Sequence, residues 1–259
     1  MSKGKGRTKD IVLYAISIGF LIFLWFWVSY SKPGFFPTPQ ETFERFVKLN
    51  ERPINKIPVM GHVLKSLQRV IEALAISAVL GIGLGLLMGW NKKIRAIINP
   101  IFTALRPIPP IAWIPLMILW FGVGELSKVL LVFIGAFFPI VLNTSAGVSM
   151  VDPMYLNVGK IYKANTWQML RHVVFPASMP AIIAGMKIAL SSGWMVVVAA
   201  EMLASKSGLG FLITRGNDSY DVALVLCGMI LIGIVGALLS AAFSLAERWM
   251  CPWEAKKNK

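Results

Sequence analysis

The chain has 259 residues, of which 56% are hydrophobic and only 15% charged, with a mean hydropathy of +0.69. Those values lie outside the range of soluble globular proteins and point to an integral membrane protein. The formal net charge of +14 would suit nucleic acid, but the Lys and Arg residues flank apolar runs instead of gathering on one polar face, so the excess reads as membrane topology and nucleic acid is excluded as a partner.

Lys3, Lys5, Arg7 and Lys9 precede an apolar run over 11–30. The run is too long for a signal peptide, and Ser31-Lys32-Pro33 offers no small-residue cleavage site. It reads as a first span with Trp25, Trp27 and Tyr30 at the interface. Residues 35–67 mix charges with Pro37, Pro39, Pro53 and Pro58, and read as a connection with short helices. A second span covers 67–90, where Ala73, Ser77, Gly81, Gly85 and Gly89 recur every four residues and predict close approach of another helix. GIGLGLL lacks the third glycine of a dinucleotide fingerprint and no GxxxxGK[ST] occurs, so no nucleotide site is expected in the chain itself.

A third span, 97–123, is interrupted by Arg106, Pro107, Pro109, Pro110 and Pro115. Each proline leaves a carbonyl without its N–H, so this backbone must be buried in protein or line a wet cavity. Arg106 has two readings: a structural arginine satisfying freed carbonyls, or a contact for an anion. Span four, 126–150, carries Pro139 and Asn143 as irregular or polar interior points. Span five, 179–203, carries the close-packing stripe Gly185, Ala189 and Gly193, with Lys187 set to snorkel or pair and Glu201 at its far end. An outer loop over 205–221 with a reentrant FLI leads to span six, 222–249, and the basic tail Lys256, Lys257, Lys259. The pathway candidates are Arg106, Pro107, Pro110, Trp113, Asn143 and Glu201; Glu201 can also neutralise Arg106.

Between spans four and five lies a polar, basic loop, 152–176. Asp152 can cap a helix beginning at Pro153, since its carboxylate accepts a free N–H and proline needs no partner. Met154, Val158, Ile161 and Tyr162 recur at helical spacing while Asn157, Lys160 and Lys163 fall away from them, so the helix is amphipathic. Asn165 and Gln168 form a capping-box pattern for a second short helix, with Pro176 marking its end. Cys227 and Cys251 would lie roughly 36 Å apart on one helix at about 1.5 Å per residue, which excludes a disulfide. No metal spacing occurs, and His62 and His172 read as isolated surface or interfacial residues.

The run KANTWQMLRHVVFPASMP from Lys163 to Pro180 resembles the cytoplasmic loop of ABC importer permeases, most of all the nitrate, taurine, alkanesulfonate and bicarbonate branch. RPIPPIAWIPL at Arg106–Leu116, WFGVGE at Trp120–Glu125 and VAAEMLASKSGLGF at Val198–Phe211 extend the resemblance. Asn157, Val158 and Gly159 stand where that family has its EAA signature, and Lys163 stands where it has glycine. The resemblance implies a single all-α, six-span domain with the type I importer fold and a cytoplasmic coupling helix. It also implies a second permease copy, two cytoplasmic ATPase subunits holding ATP and Mg, and an external binding protein that delivers a small anionic solute. The coupling residues it implies are Asn157, Gly159, Lys160, Lys163, Ala164, Asn165, Thr166 and Trp167. Independently of it, the basic short segments place both termini and the 152–176 loop in the cytoplasm, and the resemblance implies that the membrane is a bacterial inner membrane. An ion-gradient-driven carrier or channel is the alternative; it should show acidic or histidine relay groups at depth, whereas Arg106 and Lys187 are the clearest deep charges here. A membrane-embedded enzyme is disfavoured by the lack of paired carboxylates, HExxH or GxSxG.

Overall fold

A computed structural model describes residues 3–31 and 35–252; Lys32, Pro33 and the tail at Lys256, Lys257 and Lys259 lie outside the described residues. Among the described residues the regular structure is all helical: α1 (Lys3–Ser31), α2 (Pro39–Glu51), α3 (Val59–Trp90), α4 (Lys92–Leu105), α5 (Ile114–Phe121), α6 (Glu125–Ser149), α7 (Pro153–Ile161), α8 (Thr166–Met169), α9 (Phe175–Ala204), α10 (Leu209–Asp218) and α11 (Val222–Met250), with short 3-10 and π turns between them. Helices are the solution for apolar segments that must satisfy their backbone without water.

Four helical stretches among the described residues are long and apolar enough to cross a bilayer: Val59–Trp90, Glu125–Ser149, Thr166–Leu203 and Val222–Met250. A fifth span exists if α4 and Pro110–Phe121, which meet at 85°, count as one broken span; the described apolar part of α1, Ile16–Ser31, is shorter. The second span thus starts at Val59, not at 67, because His62, Ser66 and Arg69 find buried partners that let the helix extend through them. The expected reentrant FLI lies within the helix α10.

Contacts divide the chain into two compact units, Met1–Val59 with Leu212–Ile230, and Met60–Phe211 with Leu231–Lys259. In the first, α2 opens on a capping box in which Thr38 Oγ1 accepts from Glu41 N–H and Glu41 accepts from Thr38 N–H at 2.7 Å. Trp25 Nε1 and Ser29 Oγ both donate to Pro37 O, Arg45 pairs with Asp221 at 2.6 Å, and the Cys227 thiol donates to Thr42 O. Cys227 and Cys251 are both free thiols.

The second unit is built on α6. The small-residue stripe of α3 lies against it in ascending order: a Cβ on Gly81 would meet Ile140 at 2.9 Å, one on Gly85 would meet Thr144 at 2.5 Å, and one on Gly89 would fall on Val148. Helices α3 and α6 therefore run parallel at very close approach, as the four-residue repeat requires. Helix α9 runs antiparallel to α6, with Gly185 facing Asn143, Gly147 facing Ala181 and Gly193 facing Val132. Half of the apolar window of α6 and of Thr166–Leu203 is buried, against 22% for α11, so α6 and α9 form the centre of the unit. Lys187 pairs with Glu247 at 3.2 Å. Arg95 donates to Met88 O, Gly89 O and Ser149 Oγ, closing the C-terminal ends of α3 and α6 with one side chain.

Candidate functional site

Three features stand out in the second unit: an elbow at one end, a proline corner beside α6, and a buried ionic cluster at the other end. The elbow begins as its sequence dictates. Asp152 Oδ1 accepts from Met154 N–H at 2.8 Å, with Pro153 in the first turn of α7. The helix ends in a paired-bond C-cap, Ala164 N–H to Gly159 O at 3.0 Å and Lys163 N–H to Lys160 O at 2.9 Å, with Lys163 left-handed at φ 55°. Such a cap favours glycine; lysine costs about 1–2 kcal/mol in the same conformation. Asn165 and Gln168 then exchange the expected capping-box bonds at 2.8 and 2.9 Å.

One expectation for the elbow is corrected. The helix starting at Thr166 does not stop at Pro176: it passes through a π turn, Leu170–Val174, and continues to Leu203. The wide turn, closed by Phe175 N–H to Leu170 O, makes room for the ring of Pro176 and absorbs its missing N–H. The elbow is thus a short helix joined to the tip of a 38-residue one.

The apolar stripe of α7, whose direction the spacing leaves open, faces outward, with Ile161 78% and Tyr162 82% exposed and Met154 and Val158 exposed beside them. The inward face is Leu156 and Gly159, because only a residue without a side chain fits beneath Met169, whose sulfur lies 2.7 Å from where a Cβ would stand. Of the coupling candidates, Asn157, Lys160, Lys163, Asn165, Thr166 and Trp167 are exposed, whereas Gly159 is buried and Ala164 packs into the same cluster as Met169 and Val174.

At the corner, Arg106 caps α4 with its N–H on Phe102 O, and the chain leaves the helix over 107–109 before the 3-10 turn Pro110–Trp113. Arg106, Pro110, Pro139, Asn143 and Ser192 line a cavity of about 430 Å³, and Arg106 and Pro107 with Asn99 and Thr103 line a second of about 360 Å³. Arg106 is exposed and makes no ion pair among the described residues. Pro139 leaves the carbonyl of Gly135 without its helical donor, and the hydroxyl of Ser192 lies 3.0 Å from that oxygen and from Ile188 O, able to serve either. Asn143 donates to Pro139 O at 2.8 Å. Trp113 lines neither cavity; it ends the 3-10 turn, half-buried. Ser192 was not foreseen, although a proline at 139 demands a donor from a neighbouring helix.

Glu201 belongs to neither cavity and does not neutralise Arg106. It is wholly buried, and its partner is Arg69, 1% exposed, at 2.6 Å. Arg69 also binds both oxygens of Glu125, at 2.6 and 2.8 Å, and donates to the backbone and side-chain oxygens of Ser207. The other oxygen of Glu201 accepts from Ser66 Oγ and Gly210 N–H, Ser66 Oγ accepts from Leu209 N–H, and His62 Nδ1 accepts from Gly208 N–H. His62 is therefore buried, stacked on Phe211, and not a surface histidine. Gly208 adopts φ 110°, and a Cβ there would fall on the Glu201 carboxylate, so glycine is obligatory. The cluster binds α3, α6, α9 and the 205–210 turn together. Among the described residues no three His, Cys, Asp or Glu side chains gather as metal ligands would.

Apolar helices long enough to cross a membrane, a broken helix pair, an exposed elbow and a buried ionic clasp fit more than one kind of membrane protein, and comparison with known proteins decides which. Residues 79–254 match the model of the binding-protein-dependent transport system inner membrane component family. This chain belongs to that family. It is an ABC importer permease, which sets aside the gradient-driven carrier. The taurine transport system permease protein TauC of Escherichia coli strain K12 is 31% identical over 96% of this chain and 92% of its own length. The nitrate import permease protein NrtB of a Synechocystis strain is 33% identical over 96% of this chain and 92% of its own length. The fold resembles a chain of the inward-facing MetNI methionine ABC transporter, with a TM-score of 0.67 at 18% identity, covering 74% of this chain and 95% of that one.

Proposed function

We propose that two copies of this permease form, between them, the pathway for a small anionic solute handed over by an external binding protein, and that a separate ATPase pair grips the two elbows and drives the cycle. The reading rests on one observation above others: α7 turns its apolar stripe outward, with Lys160 beside it, although burying Met154, Ile161 and Tyr162 would be favourable. Such a face calls for a partner, and in this family the partner supplies ATP and Mg. The permease itself breaks no bond and holds no cofactor.

The elbow is the tip of the continuous helix Thr166–Leu203, which lies along α6 and ends at Glu201 in the ionic clasp. Closure of the ATPase pair would shift the elbow and, through this helix, the opposite end of the unit as one lever. The proposed permease has six spans, with both termini and the elbow in the cytoplasm of a bacterial inner membrane, a reading supported by the basic short segments on that side. The solute class is supported by the relatives named for taurine and nitrate, and by Arg106 standing unpaired in a cavity with Asn143 and Ser192. A guanidinium there can take over the hydrogen bonds that an anion loses with its water.

The test is co-expression with an ABC ATPase subunit from the same organism, followed by purification through a tag on the permease. The paired substitution Ile161→Asp and Tyr162→Asp should leave the permease in the membrane and release the ATPase; retention of the ATPase at the unaltered level would overturn the docking surface. Arg106→Gln should lower anion uptake while ATPase binding persists.

A further inference from the structure

A groove of about 620 Å³ runs between α3 and the start of the Thr166–Leu203 helix, apart from both the outward stripe of α7 and the corner cavities. Its α3 wall is Gly83, Leu86, Leu87 and Trp90, spaced i, i+3, i+4 and i+7, which is one face of a helix. The facing wall is Trp167, Leu170, Arg171 and Phe175, where the π turn widens the helix.

The groove is apolar along its length except for one cation. Arg171 is exposed and makes no ion pair among the described residues. Trp90 and Trp167 lie at the same end, the arrangement indoles adopt at a membrane interface, and the exposed Lys92 and Lys93 follow Trp90 directly. A packed apolar helix would cover the leucines but offer the Arg171 guanidinium no hydrogen-bond acceptor. A phosphate would satisfy it, and an acyl chain would cover the leucines and Phe175 below it.

We propose that this groove is a binding site for an anionic phospholipid, its acyl chain lying between α3 and the tip of the long helix and its phosphate on Arg171. Because Trp167 and Arg171 belong to the elbow's second arm, a lipid seated there braces that arm from the membrane side. The readout below is lipid retention, so it stands or falls separately from the docking of an ATPase.

The full-length permease in mild detergent, incubated with phosphatidylglycerol or with phosphatidylcholine of the same acyl chains, is weighed by native mass spectrometry. The wild type should retain phosphatidylglycerol about fivefold better than phosphatidylcholine, the discrimination expected of one basic side chain near a headgroup. Arg171→Ala should abolish that preference, and Arg171→Lys should keep most of it. Gly83→Phe provides an independent arm: nothing lies within 4 Å of a Cβ at Gly83, so the ring enters open groove and should displace both lipids while Arg171 is untouched. Equal retention of the two lipids by the wild type, or undiminished phosphatidylglycerol on both Arg171→Ala and Gly83→Phe, would overturn the proposal. So would a Gly83→Phe variant that dissociates a permease dimer with its lipid count unchanged, since the groove would then be a contact between chains.

Discussion

The two ends of the second unit solve opposite problems. At the Arg69 end, every charged side chain in the cluster meets a partner inside the chain: Arg69 with Glu125, Glu201 and Ser207, and Glu201 with Ser66 and Gly210 as well. At the elbow end, apolar and basic side chains face outward together, including Met154, Lys160, Ile161 and Tyr162. Burying an ion in a membrane protein demands complete pairing, whereas exposing an apolar face demands a partner from elsewhere. The difference teaches which end is set by the chain alone and which is completed by another protein.

The sharpest way to break this contrast is at Arg69. Arg69→Met leaves Glu201 buried without its counter-ion, and should destabilise the permease by about 3–5 kcal/mol, read as a lowered thermal midpoint in detergent. An unchanged midpoint would mean the clasp contributes no stability. Next comes the seam that joins the ends. Gly85→Ala puts a methyl group 2.5 Å from Thr144 Cβ and 2.9 Å from Val141 O, and should cost about 1–3 kcal/mol. Gly233→Ala on α11, where nothing lies within 4 Å, should be neutral or stabilising by up to about 1 kcal/mol.

At the elbow the stability effects should be small and the functional ones large. Ile161→Asp with Tyr162→Asp removes little buried surface, so the thermal midpoint should move by no more than about 0.5 kcal/mol equivalent while ATPase association is lost. The most local effect is at Lys163. Replacement by glycine relieves a left-handed lysine and should stabilise the cap by about 1 kcal/mol, seen as slower amide exchange over α7; Lys163→Val should speed that exchange.

How much of this was written in the sequence follows from the range of each interaction. The caps at Asp152 and Asn165 are local, made within a few residues, and could be read directly. The stripe from Ala73 to Gly89 announced a close helix contact, but not that α6 would supply it, since spacing on one helix carries no name for its partner. Periodicity likewise grouped Met154, Val158 and Ile161 on one face of α7 without saying whether the chain covers it; the deciding residue was Gly159, small enough to sit beneath Met169. Pro176 read as a stop because a helix interior rejects proline, and only the preceding π turn reconciles the two.

The candidate pathway was half legible. Arg106, Pro107, Pro110 and Asn143 do line the corner cavities, because prolines that break a helix also open space beside it. Glu201 was set against Arg106 for want of its true partner: Arg69 falls in the first turn of the span expected over 67–90 and was not weighed as a buried charge. A charge carried ten residues into a helix starting at Val59 would have demanded an acid from a neighbouring span, and Glu125 and Glu201 are the acids that end up beside it.

The central claim is that a separate motor works this permease through its elbow. Proteoliposomes holding the permease and its ATPase, with binding protein and anion outside and ATP within, test it directly. The account predicts ATP-dependent uptake by the wild type and background uptake by the Ile161→Asp, Tyr162→Asp permease, although that variant is inserted and as heat-stable as the wild type. Uptake by the variant at the wild-type rate, or wild-type uptake without the ATPase, would contradict it.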